Sequence, residues 1–414
     1  MAELIFLAHR IPWPPDKGDK IRSWHMLNHL LARGWRVHLG AFVDDPADFA
    51  HQPALEARCA ALCLRRLSAG QRPWRAAQAL LAGVSLSQGL FHDATMRRWV
   101  AATAARYPQA PILAFSGQMA PYLLAHAGGR RTVMDLVDMD SAKWAQYATE
   151  SRGPKRWLFA REARRLFALE RKVARCADAT LFVSRAEAAL FVARAPDTAA
   201  RVHALPNGVD LDYFDPAAGF ARAPVEGHDL SGPVVTFVGA MDYRPNAEGI
   251  AWFARAAWPA VRAACPEARL FIVGGKPPVE VQVLDGRDGV TVTGRVADVR
   301  PYIAAAGAVV APLRIARGIQ NKVLEAMAMA RPVVATPQAH EGIDARPGRD
   351  LLVEAEAPAL ARQVAALLAD RGMGDAIGQA GRACMVAQYR WSTNLALLDG
   401  WLGGPTPVRE REAA

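Results

Sequence analysis

Long apolar runs are scarce in this sequence, and each kind of segment that it lacks excludes a class of protein. No stretch of about 18 uncharged apolar residues occurs, so no membrane-spanning helix is predicted. Residues 1–8 are too short an apolar stretch for a signal peptide, with no basic segment before it, and predict a first strand. No Gly-x-Gly-x-x-Gly follows a predicted strand, which disfavours a dinucleotide-dependent dehydrogenase.

Cysteine is also sparse. The five cysteines are scattered, and no second pair completes the spacing of Cys59 and Cys63 into a zinc site. Unpaired thiols fit a reducing compartment, so we expect a cytoplasmic protein.

The chain is 52% apolar and carries a formal net charge of +10, which indicates a globular protein with anionic partners. No helix-turn-helix or RNA-binding signature accompanies the arginines, so nucleic acid is not expected. Phosphorylated substrates and an anionic membrane surface are the expected partners.

Strand-like and helix-like segments alternate along the chain, which predicts an α/β protein built from parallel βαβ units. A Pro- and Gly-rich stretch without periodicity separates two halves, each long enough for one domain. We predict a doubly wound domain over residues 1–215, a linker over 216–232, a second doubly wound domain over 233–390, a helix over 391–402 that packs back toward the first domain, and a disordered tail over 403–414. Two such domains bind ligands in a cleft between the carboxyl edges of their sheets.

The stretch Arg314–Thr336 contains the strongest candidate site. Apolar residues at helical spacing predict a helix over 319–330 that Pro332 ends. Lys322 and Glu325 are three residues apart and share one face. Because a helix N-terminus attracts phosphate, this pair is suited to hold a diphosphate and a sugar diol, although a surface salt bridge is the plainer alternative. Further candidate binding residues here are Arg317, Gly318 and Asn321.

A basic loop follows the first predicted strand. Gly18 permits close approach of a ligand to the backbone, and Lys20 and Arg22 bring positive charge to a helix N-terminus. His9 and Asp19 complete this candidate binding set. The plainer alternative is a solvated basic turn.

Three acids, Asp135, Asp138 and Asp140, follow the fifth predicted strand. Buried parallel strands seldom contain acids, so those at the strand end are expected to face the cleft. We choose Asp138 as the group that accepts a proton from an acceptor hydroxyl or orients it. A helix N-cap by Asp140 or Ser141 is the alternative.

Two loops of the second predicted domain add candidates. Gly239 and Arg244 can present backbone N–H groups and a cation to a diphosphate. After the strand over 290–293, Arg295 and Val296 adjoin Gly294, which frees the backbone to contact a nucleobase. A single glycine after a strand is weak evidence by itself.

Residues 150–175 carry nine Lys and Arg against three Glu, with aromatic and aliphatic residues between them. This amphipathic, basic pattern is typical of a helix that lies on anionic lipid. An ordinary surface helix packed on its sheet is the alternative.

Taken in order, these segments resemble glycosyltransferase family 4, of GT-B architecture, over nearly the whole chain. The matching motifs are Pro14–Asp19, Phe182–Ser184, Leu205–Asp210, Phe237–Gly239, Thr293–Val296, Lys322–Ala328 and Pro332–Thr336. Within that family, His9–Pro12, Asp135–Ser141 and Arg317–Lys322 resemble the sugar transferases associated with exopolysaccharide and exosortase (PEP-CTERM) systems.

The resemblance implies two Rossmann-like domains facing across a cleft, and a retaining, metal-independent transfer from a nucleoside diphosphate sugar to a saccharide or lipid-linked saccharide. Glu325 matches the family carboxylate on the ribose diol, Gly18 the loop glycine facing the donor, and Arg295 and Val296 the base-binding loop. Lys322 is expected to neutralise the departing diphosphate.

The sequence departs from the family pattern at three places. Arg317 replaces the earlier of two glutamates, Ala240 replaces the arginine after Gly239 so that Arg244 stands in for it, and acids replace a His-Asp pair after the fifth strand. Two rival functions therefore stay open: a nucleotide-sugar 2-epimerase of the same architecture, and a non-catalytic nucleotide-sugar-binding protein.

Overall fold

The structure is a computed structural model that describes residues 2–15, 17–68, 70, 72–220, 227–316 and 318–404. The chain divides into two compact units, one of residues Met1–Leu205 together with the chain from Leu395 onward, the other of residues Pro206–Asn394. Within the described ranges, no helix is both long and apolar enough to cross a membrane.

The first unit is built on a seven-stranded sheet in which every pairing is parallel, in the order β3-β2-β1-β4-β5-β6-β7. Its strands are mostly buried on both faces, as β2 shows with seven successive buried residues, so they are nearly continuous apolar runs. The strands are β1 Glu3–Ala8, β2 Arg36–Val43, β3 Ala61–Arg66, β4 Ile112–Phe115, β5 Thr132–Val137, β6 Ala179–Phe182 and β7 Val202–Ala204.

Helices connect these strands and cover the sheet. They are α1 Gly18–Ala32, α2 Gln52–Glu56, α3 Arg72–Leu81, α4 Leu86–Leu90, α5 Ala94–Arg106, α6 Ala120–Leu124, α7 Asp140–Thr149, α8 Gly153–Cys176 and α9 Arg185–Arg194. Short 3-10 helices lie at Pro46–His51, Gly117–Met119 and Pro196–Arg201. The strand order reverses beside β1, so the topological switch point of this sheet lies between β1 and β4.

The second unit has a six-stranded parallel sheet in the order β10-β9-β8-β11-β12-β13, with its switch point between β8 and β11. The strands are β8 Val234–Val238, β9 Arg269–Val273, β10 Val290–Gly294, β11 Ala308–Ala311, β12 Val333–Ala335 and β13 Leu352–Val353. The helices are α10 Arg244–Ala256, α11 Trp258–Ala264, α12 Val279–Gln282, α13 Arg300–Ala305, α14 Asn321–Ala328, α15 Pro337–His340, α16 Ala357–Ala369 and α17 Arg371–Gln388, and a 3-10 turn lies at Pro216–Ala218.

The division between the units comes earlier in the chain than the predicted boundary at residue 215. Residues 206–215 belong to the second unit because Val209, Leu211 and Phe214 are buried in its core. The N–H of Val209 also donates to the carbonyl of Tyr389 at 2.7 Å. Part of the predicted linker, residues 221–226, and residues 405–414 of the predicted tail lie outside the described residues.

The last helix, α18, spans Trp391–Leu402, and from Leu395 its residues count with the first unit. Asp399 accepts hydrogen bonds from His29 at 3.1 Å and Arg33 at 2.9 Å. Trp401 stacks on His203 with ring centroids 5.1 Å apart. These contacts join the C-terminal helix to elements of the first unit.

Candidate functional site

The switch point of the second unit is lined by a close contact between a glycine loop and a buried amide. Gly239 follows β8, and a Cβ at this position would lie 2.8 Å from Nδ2 of Asn246. The same Nδ2 donates to the carbonyl of Ala240 at 2.8 Å, so the amide holds the loop in place. Gly239 is therefore the residue that lets the first turn of α10 approach the end of β8.

Lys322 extends from the first turn of α14 to the same place. Its Nζ donates to Oδ1 of Asn246 at 2.5 Å and lies 5.3 Å from the ring centroid of Phe237. The Glu325 carboxylate one turn later has no hydrogen-bond donor within the described part of the chain. The structure thus brings together three of the predicted residues, Gly239, Lys322 and Glu325, beside the start of two helices.

The environment of the Lys322–Glu325 pair shifts both protonation equilibria toward neutral pH. Burial lowers the pKa of Lys322 to about 8, and the charge of Glu325 offsets part of this effect. Burial raises the pKa of Glu325 to about 7, and Lys322 offsets part of that. Although some surface of each side chain is exposed, the dense surroundings of both charges disfavour ionisation. An anion beside Lys322 would stabilise the charged form and raise the pKa of Lys322 again.

The other predicted residues of this unit are distributed around that pair. Asn321, the first residue of α14, accepts a hydrogen bond from Asn207 at 3.1 Å. Gly318 has a φ of 70°, in the left-handed region that glycine tolerates. Arg317, predicted to bind substrate, lies outside the described residues.

The structure gives less support for ligand binding by Arg244, Arg295 and Val296. Arg244 opens α10 and is solvent-exposed, where it forms an i,i+4 pair with Glu248 at 2.6 Å. Arg295 is exposed in the loop after β10, and Val296 packs partly against the small apolar cluster that contains Tyr302. Their predicted roles toward diphosphate and nucleobase stay predictions.

The switch point of the first unit holds His9 and Asp19. Nε2 of His9 lies 3.0 Å from Oδ2 of Asp19, and Nδ1 lies 3.4 Å from Oγ of Ser116 at the end of β4. Burial alone would raise the pKa of Asp19, but the hydrogen bond from His9 and the charges of His9 and Arg10 outweigh it and lower that pKa. Gly18 is exposed at the start of α1 beside this cluster.

Lys20 and Arg22 are occupied by carboxylates inside the protein. Lys20 Nζ lies 3.0 Å from Oδ2 of Asp48, and Arg22 Nε lies 2.7 Å from Oδ2 of Asp135, with both cationic side chains almost fully buried. Arg22 also donates to the carbonyl of Leu205 at 2.9 Å. Because α1 begins at Gly18, both cations lie on the inner face of that helix and not in the loop before it. The geometry favours a structural role for both, and substrate binding by them stays a prediction.

Asp138 lies at a partly buried position that follows a strained residue. Val137, just before it, has a φ of 70°, which costs a β-branched residue roughly 1–3 kcal/mol. Oδ1 of Asp138 is buried and accepts no hydrogen bond from the described residues. Burial, together with the charges of Glu187 and Asp140, raises the pKa of Asp138 to about 7. Such a group takes up or releases a proton near neutral pH, which suits the predicted acid–base role.

A small cavity adjoins Asp138 within the first unit. Its lining includes Gln118, Asp138, Asp140 and Glu170, and its volume is about 10 Å³. That volume is about what a single water molecule needs. Burial is the main cause that raises the pKa of both Asp138 and Glu170 to about 7.

The predicted N-cap by Asp140 or Ser141 is wrong. Met139 is the N-cap residue of α7, and its N–H donates to Oε2 of Glu187 at 2.9 Å. The N–H of Ser141 donates to Oε1 of Glu170, also at 2.9 Å. Carboxylates from α9 and α8 therefore satisfy the N–H groups that a local side chain was expected to cap.

Sequence reasoning missed Asn246, Glu170 and Glu187. Glu170 had a recognisable signal, because it lies between the buried Leu166 and Val173 on the apolar stripe of α8, where an acid needs an internal partner. Asn246 had no such signal, since an Asn in the first turn of a helix is ordinary.

A sequence family described as Glycosyltransferase Family 4 matches residues 21–213, and one described as glycosyl transferases group 1 matches residues 232–370. Together the two matches take in most of the chain. The two matches together support a family 4 glycosyltransferase.

Among curated proteins, this chain is similar to a GDP-mannose-dependent α-(1-6)-phosphatidylinositol monomannoside mannosyltransferase of Mycobacterium tuberculosis. The two are 31% identical over 258 residues, which is 58% of this chain and 65% of the mannosyltransferase. The match thus spans less than two thirds of that relative's length.

Solved structures share the GT-B fold over almost the whole chain. Sucrose-phosphate synthase from Thermosynechococcus elongatus is 20% identical with a TM-score of 0.70, covering 97% of this chain and 98% of its own. Anabaena HepE in complex with UDP and glucose is 17% identical with a TM-score of 0.67, covering 97% and 100%. The likeness shows that the two α/β units are those of a GT-B protein.

Proposed function

We propose that this protein is a retaining, metal-independent glycosyltransferase that moves a hexosyl group from a nucleoside diphosphate sugar to a lipid-linked saccharide. The product would enter exopolysaccharide or another cell-surface glycan, and the protein would act at the inner face of the cell membrane as a peripheral protein. The observation that carries the proposal is the placement of Lys322 and Glu325 one turn apart on α14 at the switch point of the second unit, with Lys322 held by Asn246.

The donor diphosphate is assigned to Lys322 and the neighbouring helix starts. The N-termini of α10 and α14 bring the positive ends of two helix dipoles to this place. Lys322, which Asn246 holds in place, adds a full positive charge. Together these groups would stabilise the negative charge that develops on a departing diphosphate. Glu325, without a hydrogen-bond donor among the described residues, is assigned to the ribose hydroxyls.

The acceptor is assigned to the first unit. Asp138, with its pKa raised to about 7, would orient the acceptor hydroxyl, and the leaving phosphate would take the acceptor proton. The donors named for the mannosyltransferase and for HepE, GDP-mannose and a UDP ligand, support a nucleoside diphosphate sugar as the donor class.

The test is protection from heat denaturation by a panel of UDP-, GDP- and dTDP-sugars, repeated on Lys322→Ala and Glu325→Ala. One donor should raise the unfolding temperature of the native protein, and both variants should lose that shift while unfolding cooperatively without ligand. Full transfer activity in both variants would end the assignment.

The same protein and nucleotide sugars also distinguish two alternative functions. A 2-epimerase would convert the donor sugar without an acceptor, so analysis of the products from donor alone distinguishes it. Protection by a nucleotide sugar without any transfer or conversion of that sugar would favour the non-catalytic nucleotide-sugar-binding protein, which the replacement of the earlier family glutamate by Arg317 motivates.

A further inference from the structure

Helix α3 leaves a large apolar surface uncovered. Leu81 is 90% exposed and Trp74 is 69% exposed. The two are seven residues apart, so they lie on one face of the helix, with the half-exposed Leu80 at its end. Isolated apolar residues on a surface need no explanation, but two large ones on one helix face do.

One face of α3 packs against α4, which leaves the opposite face exposed. Arg75 donates to the carbonyl of Leu90 at 2.8 Å. Ala79, one turn later, packs so closely on α4 that a Cβ added at Gly89 would lie 2.4 Å from the Ala79 Cβ. Arg75 and Ala79 thus hold α3 against α4, and Trp74 and Leu81 point elsewhere.

Helix α8 continues this surface. Arg161 Nη2 donates to the carbonyl of Val84 at 3.0 Å, which joins the middle of α8 to the chain just after α3. Trp157, one helical turn before Arg161, is 60% exposed. We call the four residues Trp74, Leu80, Leu81 and Trp157 the α3–α8 face.

The charge around this face is of one sign. Both acids of α8 are withdrawn into the protein: Glu162 accepts hydrogen bonds from the N–H groups of Leu86 and Ser87, and Glu170 from Ser141. The exposed charged residues in the first part of α8 are all cationic. These cations are Lys155, Arg156, Arg164 and Arg165. Among the described residues, no carboxylate forms a salt bridge with Arg164 or Arg165.

We propose that the α3–α8 face docks on an anionic lipid surface, with Trp74, Leu81 and Trp157 in the headgroup region and the α8 cations on lipid phosphates. Trp and Leu enter the interface of a bilayer favourably, and each basic residue near an anionic leaflet adds attraction. A second copy of this chain is disfavoured as the occupant, because a two-fold interface would bring the cations of α8 against themselves. The inference deepens the proposed membrane contact and rests on it.

The test is co-sedimentation of the full chain with vesicles of phosphatidylglycerol and phosphatidylcholine, and with vesicles of phosphatidylcholine alone. Trp74→Ser with Leu81→Ser should weaken binding to the anionic vesicles by about tenfold or more. The matched control is Val279→Ser at the start of α12 with Val283→Ser just after its end, which removes two exposed apolar residues of the second unit and should leave binding unchanged.

The contribution of the α8 cations to lipid binding is tested with the double variant Arg164→Glu plus Arg165→Glu. This change should abolish binding to anionic vesicles, whereas Arg287→Glu plus Arg362→Glu, the same charge change on exposed arginines of the second unit, should weaken it far less. Unfolding temperature and nucleotide-sugar protection are measured on every variant and should not change.

Three outcomes would overturn the inference. The native chain fails to bind anionic vesicles, or both face variants bind as the native chain does, or the apolar variant instead abolishes a concentration-dependent dimer. Nucleotide protection that persists in the first case leaves the proposed transferase function standing, so the two proposals fail separately.

Discussion

Binding of a nucleotide sugar should move protons onto the protein at high pH and off it at low pH. In the unliganded protein, burial lowers the pKa of Lys322 to about 8 and raises that of Glu325 to about 7. A diphosphate beside Lys322 favours its charged form and so raises its pKa toward the ordinary value of about 10.4. Ribose hydroxyls that donate to Glu325 favour the carboxylate and lower its pKa.

The expected proton counts follow from these values. At about pH 8.5, Lys322 is about one quarter protonated before binding and nearly fully protonated after it, an uptake of about three quarters of a proton. At about pH 6.5, Glu325 is about three quarters protonated before binding and ionised after it, a release of about three quarters of a proton. The sign of the exchange therefore reverses between the two conditions.

The affinity should follow the same linkage. Above pH 8 each further pH unit removes the proton that the complex needs, so affinity should fall by about tenfold per unit until the pKa of the bound form is reached. The diphosphate of a nucleotide sugar does not itself titrate in this range, because it lacks the terminal phosphate whose second pKa is about 6.

The assay is titration calorimetry with the preferred nucleotide sugar, without acceptor, in two buffers of different ionisation enthalpy at each pH. Lys322→Met should abolish the uptake at high pH, and Glu325→Gln the release at low pH. Asn246→Asp offers a sharper control, because it places a carboxylate where Lys322 Nζ now meets an amide at 2.5 Å. Lys322 would then already hold its proton, and the uptake should disappear.

Two results would refute the reasoning. Tight binding at high pH without proton uptake would mean that Lys322 does not meet the diphosphate. Uptake that survives in Asn246→Asp would mean that another group supplies the titration.

Two further predictions concern the scaffold of each unit. Arg22→Met should destabilise the protein by about 3–5 kcal/mol in urea unfolding, since it leaves Asp135 buried without its partner at 2.7 Å, and Arg22→Met with Asp135→Asn should recover most of that loss; a loss below about 1 kcal/mol for the single variant would contradict the pairing. Gly239→Ala should weaken nucleotide-sugar binding by about tenfold, because the new Cβ would displace the Asn246 amide that it meets at 2.8 Å. Gly400→Ala, where a Cβ meets nothing within 4 Å, is the control, and equal binding by both variants would sink the second prediction.

The regular elements were predictable because their signal is local. Buried parallel strands are continuous apolar runs, and β1 Glu3–Ala8 and β2 Arg36–Val43 could be delimited from the sequence alone. Helices α10 and α11 are separated only at Ala257, shortly before Pro259, and such a break inside a continuous helical pattern is harder to locate from the sequence. At the start of α7 a local N-cap by Asp140 or Ser141 was expected, whereas carboxylates distant in the sequence accept hydrogen bonds from Met139 and Ser141.

Partners distant in sequence could not be predicted, and they decide what the cations of the candidate site do. Arg22 meets Asp135 across 113 residues, and Lys322 meets Asn246 across 76. In the sequence, Lys20, Arg22 and Lys322 look alike, as basic residues near the start of a helix that follows a strand. Their burial separates them: a carboxylate neutralises each of the first two, whereas Lys322 meets a neutral amide and keeps a lowered pKa. A cation that burial has left short of compensating charge gains most from an incoming anion, and on that ground Lys322, rather than Lys20 or Arg22, is the residue expected to bind the diphosphate.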